Sequence, residues 1–332
     1  MISERNLQIG LVLTGGMGGL AYGLLLRYMI FTKTLSMVLP VMSIAFLMVG
    51  PFAIGFFSVW LVERSRPLHI VYWIFFPWAP VVAGILLSIA ALWEGFICAI
   101  MFAPVAMVLA SGGGALGGLL GKHQRLNSSR SMIAACVLFF PLMLGPWEHR
   151  VFLRNETREV HTFIDIQASS STVWRNIERV PPIQAAELPS SWARRIGFPA
   201  PVEATLSYQG VGGVRHATFA GGVLFIENID VWQPERRLAF SIHPQTAQIP
   251  PTTLDEHVTV GGPFFDVLRG EYTLEPLSNG KIRLHLSSQE RVSTDFDWYA
   301  HLWSDAVMRD LQNSILEVIR NRCENAARLK LP

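Results

Sequence analysis

Residues 270–292 read GEYTLEPLSNGKIRLHLSSQERV, and their pattern decides the fold of the C-terminal half. Leu274, then Ile282, Leu284 and Leu286, alternate with polar neighbours, the period of a strand with one buried face. Ser278, Asn279 and Gly280 break the alternation with turn chemistry, so residues 268–276 and 281–292 form a hairpin. Upstream, the same period predicts strands at residues 160–166, 202–208, 214–220, 223–232 and 237–243. Ser169, Ser170 and Ser171 cap a short helix over residues 172–177, which Pro181 and Pro182 end. Residues 185–196, with Trp192, are short helical or irregular, and a Pro/Thr-rich loop fills 244–262. Downstream, residues 296–328 carry Tyr299, Leu302, Trp303, Val307, Leu311, Ile315, Val318 and Ile319 at helical spacing. A curved antiparallel sheet gripping that long helix satisfies the order of elements and leaves a cavity between the two layers.

The N-terminal half follows another regime. The chain of 332 residues is 51% hydrophobic and only 16% charged, against about 25% charged in an average soluble protein. Residues 1–150 hold nine Lys/Arg and four Asp/Glu, whereas residues 151–332 hold 18 and 21. Apolar stretches of about 20 residues can cross a bilayer. Five are predicted, at residues 7–26, 35–62, 69–93, 95–120 and 132–147, the last being short and containing Pro141. The expected organisation is a transmembrane helical domain at 1–147, a linker at 148–157 and an α+β helix-grip domain at 158–330. Two glycine clusters, around Gly15 to Gly23 and Gly112 to Gly121, contain G-x-x-x-G spacing for close helix approach. Packing within the bundle is the simpler use of them, and a homo-oligomer is the alternative. Gly112 to Gly117 also matches G-x-G-x-x-G, but no strand precedes it, so no dinucleotide site is expected. No carboxylate falls in mid-span, which argues against an ion-coupled transporter. An acidic soluble half argues against nucleic acid as a partner. Arg5, Arg64, Arg66, Lys122, Arg125 and Arg130 fall on one side of the five spans, and Arg27, Lys33, Arg150, Arg154 and Arg158 on the other. That tally leans toward a soluble domain outside the cytoplasm.

Residues 164–180 (IDIQASSSTVWRNIERV), 232–242 (WQPERRLAFSI), 270–292 and the terminal helix with Trp298, Tyr299 and Trp303 resemble the START-like superfamily, also called SRPBCC or polyketide cyclase/dehydrase and lipid-transport proteins. The resemblance covers about residues 158–328. It implies a helix-grip fold and a cavity for a hydrophobic small molecule or lipid. Its motifs are signatures of fold rather than of catalysis. Many bacterial relatives are small and soluble, so the apolar half is a departure, and it puts free shuttling of a ligand in doubt. The expected setting is a bacterial inner (plasma) membrane.

Polar residues sharing parity with the apolar faces are the candidates for cavity contacts. Glu227 alternates with Phe225, Ile229 and Val231, and Glu290 follows Leu284, Leu286 and Ser288. Tyr272 alternates with Leu268 and Leu274, and Tyr208 with Ala204 and Leu206. An inward carboxylate among apolar side chains is expensive unless paired or protonated, so Glu227 and Glu290 are candidates for a polar anchor or a general acid/base. Either could equally form a structural ion pair with Arg215 or Arg269. Arg215 could orient a ligand carboxylate or phosphate, or sit on a strand surface; Trp298 and Trp303 could cover the sheet or also touch ligand. No cofactor is called for. His243 and His257 flank a loop with Asp255 and Glu256, but the spacing of a metal motif is missing, so no metal site is expected. Three functions stay open: a membrane-anchored binder of a hydrophobic molecule or lipid, a cyclase or dehydratase using Glu227, Glu290 and Tyr272, and a non-catalytic sensor or assembly module for membrane partners.

Overall fold

Glycine lets helices of the N-terminal half touch backbone to backbone, and it does so on two faces of one helix. The computed structural model describes residues 4–31, 44–127, 136–137, 139–140, 143–144, 156–245, 260–262, 264–294 and 296–328. The chain divides into an N-terminal unit, Met1–Arg154 with Thr294–Phe296, and a C-terminal unit, Asn155–Ser293 with Asp297–Pro332.

The N-terminal unit contains α1 (Glu4–Phe31), a π-turn (Ala45–Val49) running into α2 (Gly50–Glu63), α3 (Ile70–Phe75), α4 (Trp78–Ala90) and α5 (Phe96–Asn127). On α5, Gly113 and Gly117 face α2: a Cβ there would lie 1.8 Å from the Phe52 carbonyl oxygen and 2.4 Å from that of Phe56. Gly114 and Gly118 face α3, where a Cβ would strike the Trp73 backbone at 2.1 Å and its ring at 2.2 Å. On α1, Gly15 and Gly19 press against Ser58 of α2 in the same way. The glycine clusters thus serve close packing inside the unit. One buried carboxylate ties it together at the end of α2. Glu63 pairs with Arg125 at 2.7 Å, and accepts from the Leu68 amide at 2.6 Å and the Trp73 indole at 3.2 Å.

Among the described residues three helices are long and apolar enough to cross a membrane: Ala45–Glu63, Ile70–Ala90 and Phe96–Asn127. Their outward faces stay apolar, with Leu86, Val108 and Leu119 exposed. This is fewer than the five spans expected. The first expected span is helical as α1, whereas the start of the second and most of the fifth lie outside the described residues.

The C-terminal unit contains β1 (Glu156–Ile166), α6 (Ser170–Glu178), α7 (Trp192–Arg195), β2 (Pro201–Leu206), β3 (Val214–Phe219), β4 (Val223–Gln233), β5 (Arg237–Gln245), β6 (Phe265–Pro276), β7 (Ile282–Val292) and α8 (Asp297–Arg328). All seven strands join one antiparallel sheet in the order β1-β7-β6-β5-β4-β3-β2. The β6–β7 hairpin turns at Gly280, whose φ of +79° favours glycine, while the Asn279 side chain accepts from the Lys281 amide at 3.1 Å. Helix α6 starts where Ser169 caps the Thr172 amide and buries Val173, Trp174 and Ile177. Trp174 meets Trp232 edge to face at 5.1 Å. Leu238, Leu284, Leu316 and Ile319 fill the space between sheet and α8. Each such residue contributes about 1.5–3 kcal/mol relative to exposure. Gln312 of α8 sets the helix in register: it donates to the Val160 carbonyl (3.0 Å) and Ser288 hydroxyl (2.9 Å) and accepts from Thr162 (2.9 Å).

Candidate functional site

The strand register lines up polar residues across the helix-facing side of the sheet. Arg215 on β3 stands opposite Glu227 on β4, and Glu227 opposite Ile242 on β5. On the far side Val267 of β6 stands opposite Glu290 of β7, and Glu290 opposite Arg158 of β1. A register shift between Val267 and Arg269 brings the two halves into one row. Two charged stations therefore flank an apolar floor. They are three strands apart, roughly 14 Å at about 4.8 Å per strand.

The first station is an ion pair inside the core. Arg215 and Glu227 are both buried and in direct contact, and the guanidinium lies 5.3 Å from the centre of the Phe240 ring. The Tyr272 hydroxyl interacts with the same guanidinium. Burial works against the Arg215 charge, but Glu227 and Tyr272 outweigh it and hold the guanidinium firmly protonated. Burial pushes the Glu227 carboxyl up, and Arg215 opposes that shift. Among the described residues the Nε of Arg215 has no hydrogen-bond partner. The neighbouring row passes through Gly270, where a Cβ would lie 2.5 Å from the Phe240 ring. The missing side chain is what allows Phe240 to fold down beside Arg215.

The second station lies where the first turns of α8 cross β7 and β1. Glu290 is 0% exposed, and among the described residues neither of its oxygens meets a partner in hydrogen-bond geometry. Burial raises its carboxyl pKa; Ser304, His301 and Arg158 oppose the shift and Asp305 reinforces it. His301 binds Glu156 at 3.1 Å through Nε2, and its buried Nδ1 has no partner among the described residues. Trp303, whose buried Nε1 is likewise without a partner among the described residues, lies 6.3 Å from Trp192, ring centre to ring centre.

Arg215, Glu227 and Tyr272 are thus brought together, and Glu290 stands apart from them. Proton transfer shared among Glu227, Glu290 and Tyr272 at one atom is not what this geometry offers. Two other candidates lie on the surface. Strand β2 ends at Leu206, two residues earlier than expected, so Tyr208 belongs to the turn, is 53% exposed and reaches the Val211 carbonyl at 3.4 Å. Trp298 is 68% exposed on the first turn of α8. Arg269, an expected partner for the buried carboxylates, instead pairs with Asp230 at 3.3 Å. His243 lies within β5, and most of the segment between it and His257 lies outside the described residues. Phe240, Gln312, His301 and Asp305 also line these stations and are absent from the sequence-based candidates. The available signal was polar residues at helical spacing inside the apolar stripe of α8.

Seven antiparallel strands in this order around a long C-terminal helix make a helix-grip fold. A scan of family models finds no match, and a comparison with curated proteins finds none either. Solved structures similar to the chain include the Zhui aromatase/cyclase from Streptomyces sp. R1128, at 16% identity, covering 52% of this chain and 96% of that one, with a TM-score of 0.32. A START superfamily protein from Mycobacterium smegmatis is similar at 9% identity, over 51% and 98% of the two chains, with a TM-score of 0.33. A conserved protein from Geobacillus kaustophilus is similar at 12% identity, over 51% and 97%, again with a TM-score of 0.33.

Proposed function

We propose that the chain is a membrane-anchored START-like protein that binds a hydrophobic small molecule or lipid carrying a hydroxyl or carbonyl group. The observation behind this is the buried Arg215–Glu227 pair with Tyr272 on an otherwise apolar floor. A hydrophobic pair of similar volume would stabilise such a core as well or better, so an ion pair there points to recognition. The pair suits an oxygen on an apolar ligand, because Glu227 can accept from a hydroxyl and Arg215 can donate to a carbonyl. The apolar helices of the N-terminal unit would hold the domain beside its ligand reservoir, the bilayer. We propose five spans, which would put the domain on the extracytoplasmic side of a bacterial inner membrane.

The test is native mass spectrometry of the full chain released gently from detergent, followed by organic extraction. A co-purifying oxygen-bearing apolar molecule, lost in the double variant R215M/E227L, is the expected result. An empty wild-type chain that takes up no added lipid would sink the reading and favour an assembly module. Cysteine-accessibility labelling on either side of residues 132–147 checks the proposed topology.

A further inference from the structure

The outer face of the sheet, opposite α8, carries a second group that the binding reading does not use. His161 of β1 and His285 of β7 lie diagonally on neighbouring strands, two residues out of register, since Phe163 stands opposite His285 and His161 opposite Ser287. Nε2 of His161 is 3.0 Å from Nδ1 of His285. The rings lie nearly parallel, with centres 5.1 Å apart. On its other side His285 Nε2 meets the Glu275 carboxylate at 2.9 Å. The nearby cation Arg283 is held by Asp165 at 2.7 and 3.1 Å and stacks on Phe163, so its charge is already paired.

We propose that His161 and His285 form a surface site for a divalent transition-metal ion of the zinc type. The carboxylate fixes the chemistry. Glu275 accepts the proton of His285 Nε2, which leaves the Nδ1 lone pair free and pointed at His161. A carboxylate, a histidine and a metal in that order is the usual outer support of imidazole ligands. Two imidazole nitrogens on one tetrahedral zinc, each at about 2.0–2.1 Å, lie roughly 3.3 Å apart. The observed 3.0 Å falls short by a few tenths of an ångström, which a small rotation of the exposed His161 ring supplies. Without metal, Nε2 of His161 donates to Nδ1 of His285. On binding, that proton moves to Nδ1 of His161, both rings stay neutral, and the lone pairs of His161 Nε2 and His285 Nδ1 turn to the ion. Among the described residues no three His, Cys, Asp or Glu converge on one ion. The protein therefore supplies two ligands and water completes the shell. Spacing along the chain could not have shown this, because the two histidines are 124 residues apart.

Calorimetric titration of the untagged full chain in detergent with Zn2+, near neutral pH, tests the proposal. One ion per chain is expected. Binding should be lost in H161A and in H285A, and weakened about tenfold or more in E275Q, with thermal unfolding of all three variants near the wild type. Cu2+ binds such sites more tightly, so its electron paramagnetic resonance spectrum should show coupling to two nitrogens. Zn2+ binding that survives in the double variant H161A/H285A would overturn the assignment. So would a wild-type chain that takes up no ion.

Discussion

Arg158 stands directly opposite Glu290 across the β1–β7 ladder, yet its guanidinium donates to Asp305 of α8 at 3.1 Å instead of to the buried Glu290 carboxyl. The charge that could have neutralised Glu290 is thus shared out to the helix. Glu290 keeps a raised pKa because its burial outweighs the opposing influence of Ser304, His301 and Arg158.

A pH dependence follows. The folded-state pKa of Glu290 lies above its ordinary value, so the folded chain favours the protonated form. Its contribution to stability is full below the ordinary carboxyl range and is lost as pH rises through the folded pKa. The variant E290Q cannot ionise there. It should match the wild type at about pH 4 and become progressively more stable above that, by up to about 1.4 kcal/mol per pH unit until the folded pKa is passed. Chemical unfolding of both chains at several pH values, followed by tryptophan fluorescence, measures the gap. Parallel curves would mean that Glu290 is paired in solution.

The Arg215–Glu227 pair makes a prediction that separates stability from binding. The single variant R215M strands a buried carboxylate and should destabilise the C-terminal unit by about 3–5 kcal/mol. The double variant R215M/E227L removes both charges and should recover most or all of that loss. If the pair exists for a ligand, the recovered double variant still fails to retain it. Unfolding midpoints of the wild type, two single variants and the double variant complete the cycle, and ligand retention is read on the same samples.

How much of this was legible in the sequence depends on what each element answers to. The seven strands and α8 answer to local periodicity. Leu274, Leu284 and Leu286 alternate along the chain, and all three are buried on one face. Parity alone puts Glu227, Glu290 and Tyr272 inward, and parity survives small errors in where a strand begins. Tyr208 departs from its expected strand position because parity means nothing past the end of β2, and that end is set by the turn with Gly210 and Gly212 at positive φ. The pairing of Arg215 with Glu227 rather than of Arg269 needed the register between β3 and β4, which no periodicity encodes. The wide separation of the two stations is likewise a property of strand order, since β7 is next to β1 and β6, not β4.

Gly270 offers a test of the packing that shapes the first station. It sits opposite Phe240 in the β5–β6 ladder, and its missing Cβ lets the ring lie 5.3 Å from the Arg215 guanidinium. In G270A the new methyl must push the ring toward Arg215, because the β-carbon meets two ring atoms at 2.5 and 2.7 Å. Overpacking of this kind typically costs about 1–3 kcal/mol. A second change, F240L, removes the ring and should restore most of the loss in the double variant. Ligand retention should fall in G270A before the fold is lost, and a G270A chain as stable as the wild type would show that the ring has room to move elsewhere.

The opposite pH limb is set by Glu187, near the short connection between α6 and α7. Arg322 of α8 grips it with two hydrogen bonds, at 2.7 and 2.8 Å, and donates as well to the Pro181 and Pro182 carbonyls at 2.9 Å each. The Arg322 contact is the main reason that the Glu187 carboxyl is held down to about 2, and the Gln184 amide adds to it. A folded pKa below the ordinary carboxyl value means that this contribution is present above about pH 4.5 and is lost as pH falls toward 2. In E187Q the acid limb of the stability curve should be shallower and the loss at neutral pH modest, since the pair is partly open to solvent. R322A should do more, because it also frees two backbone carbonyls. Limited proteolysis between Pro181 and Leu188 should become faster in R322A at neutral pH, and in the wild type only on acidification. Equal cleavage rates in both chains at neutral pH would show that α8 does not hold this connection.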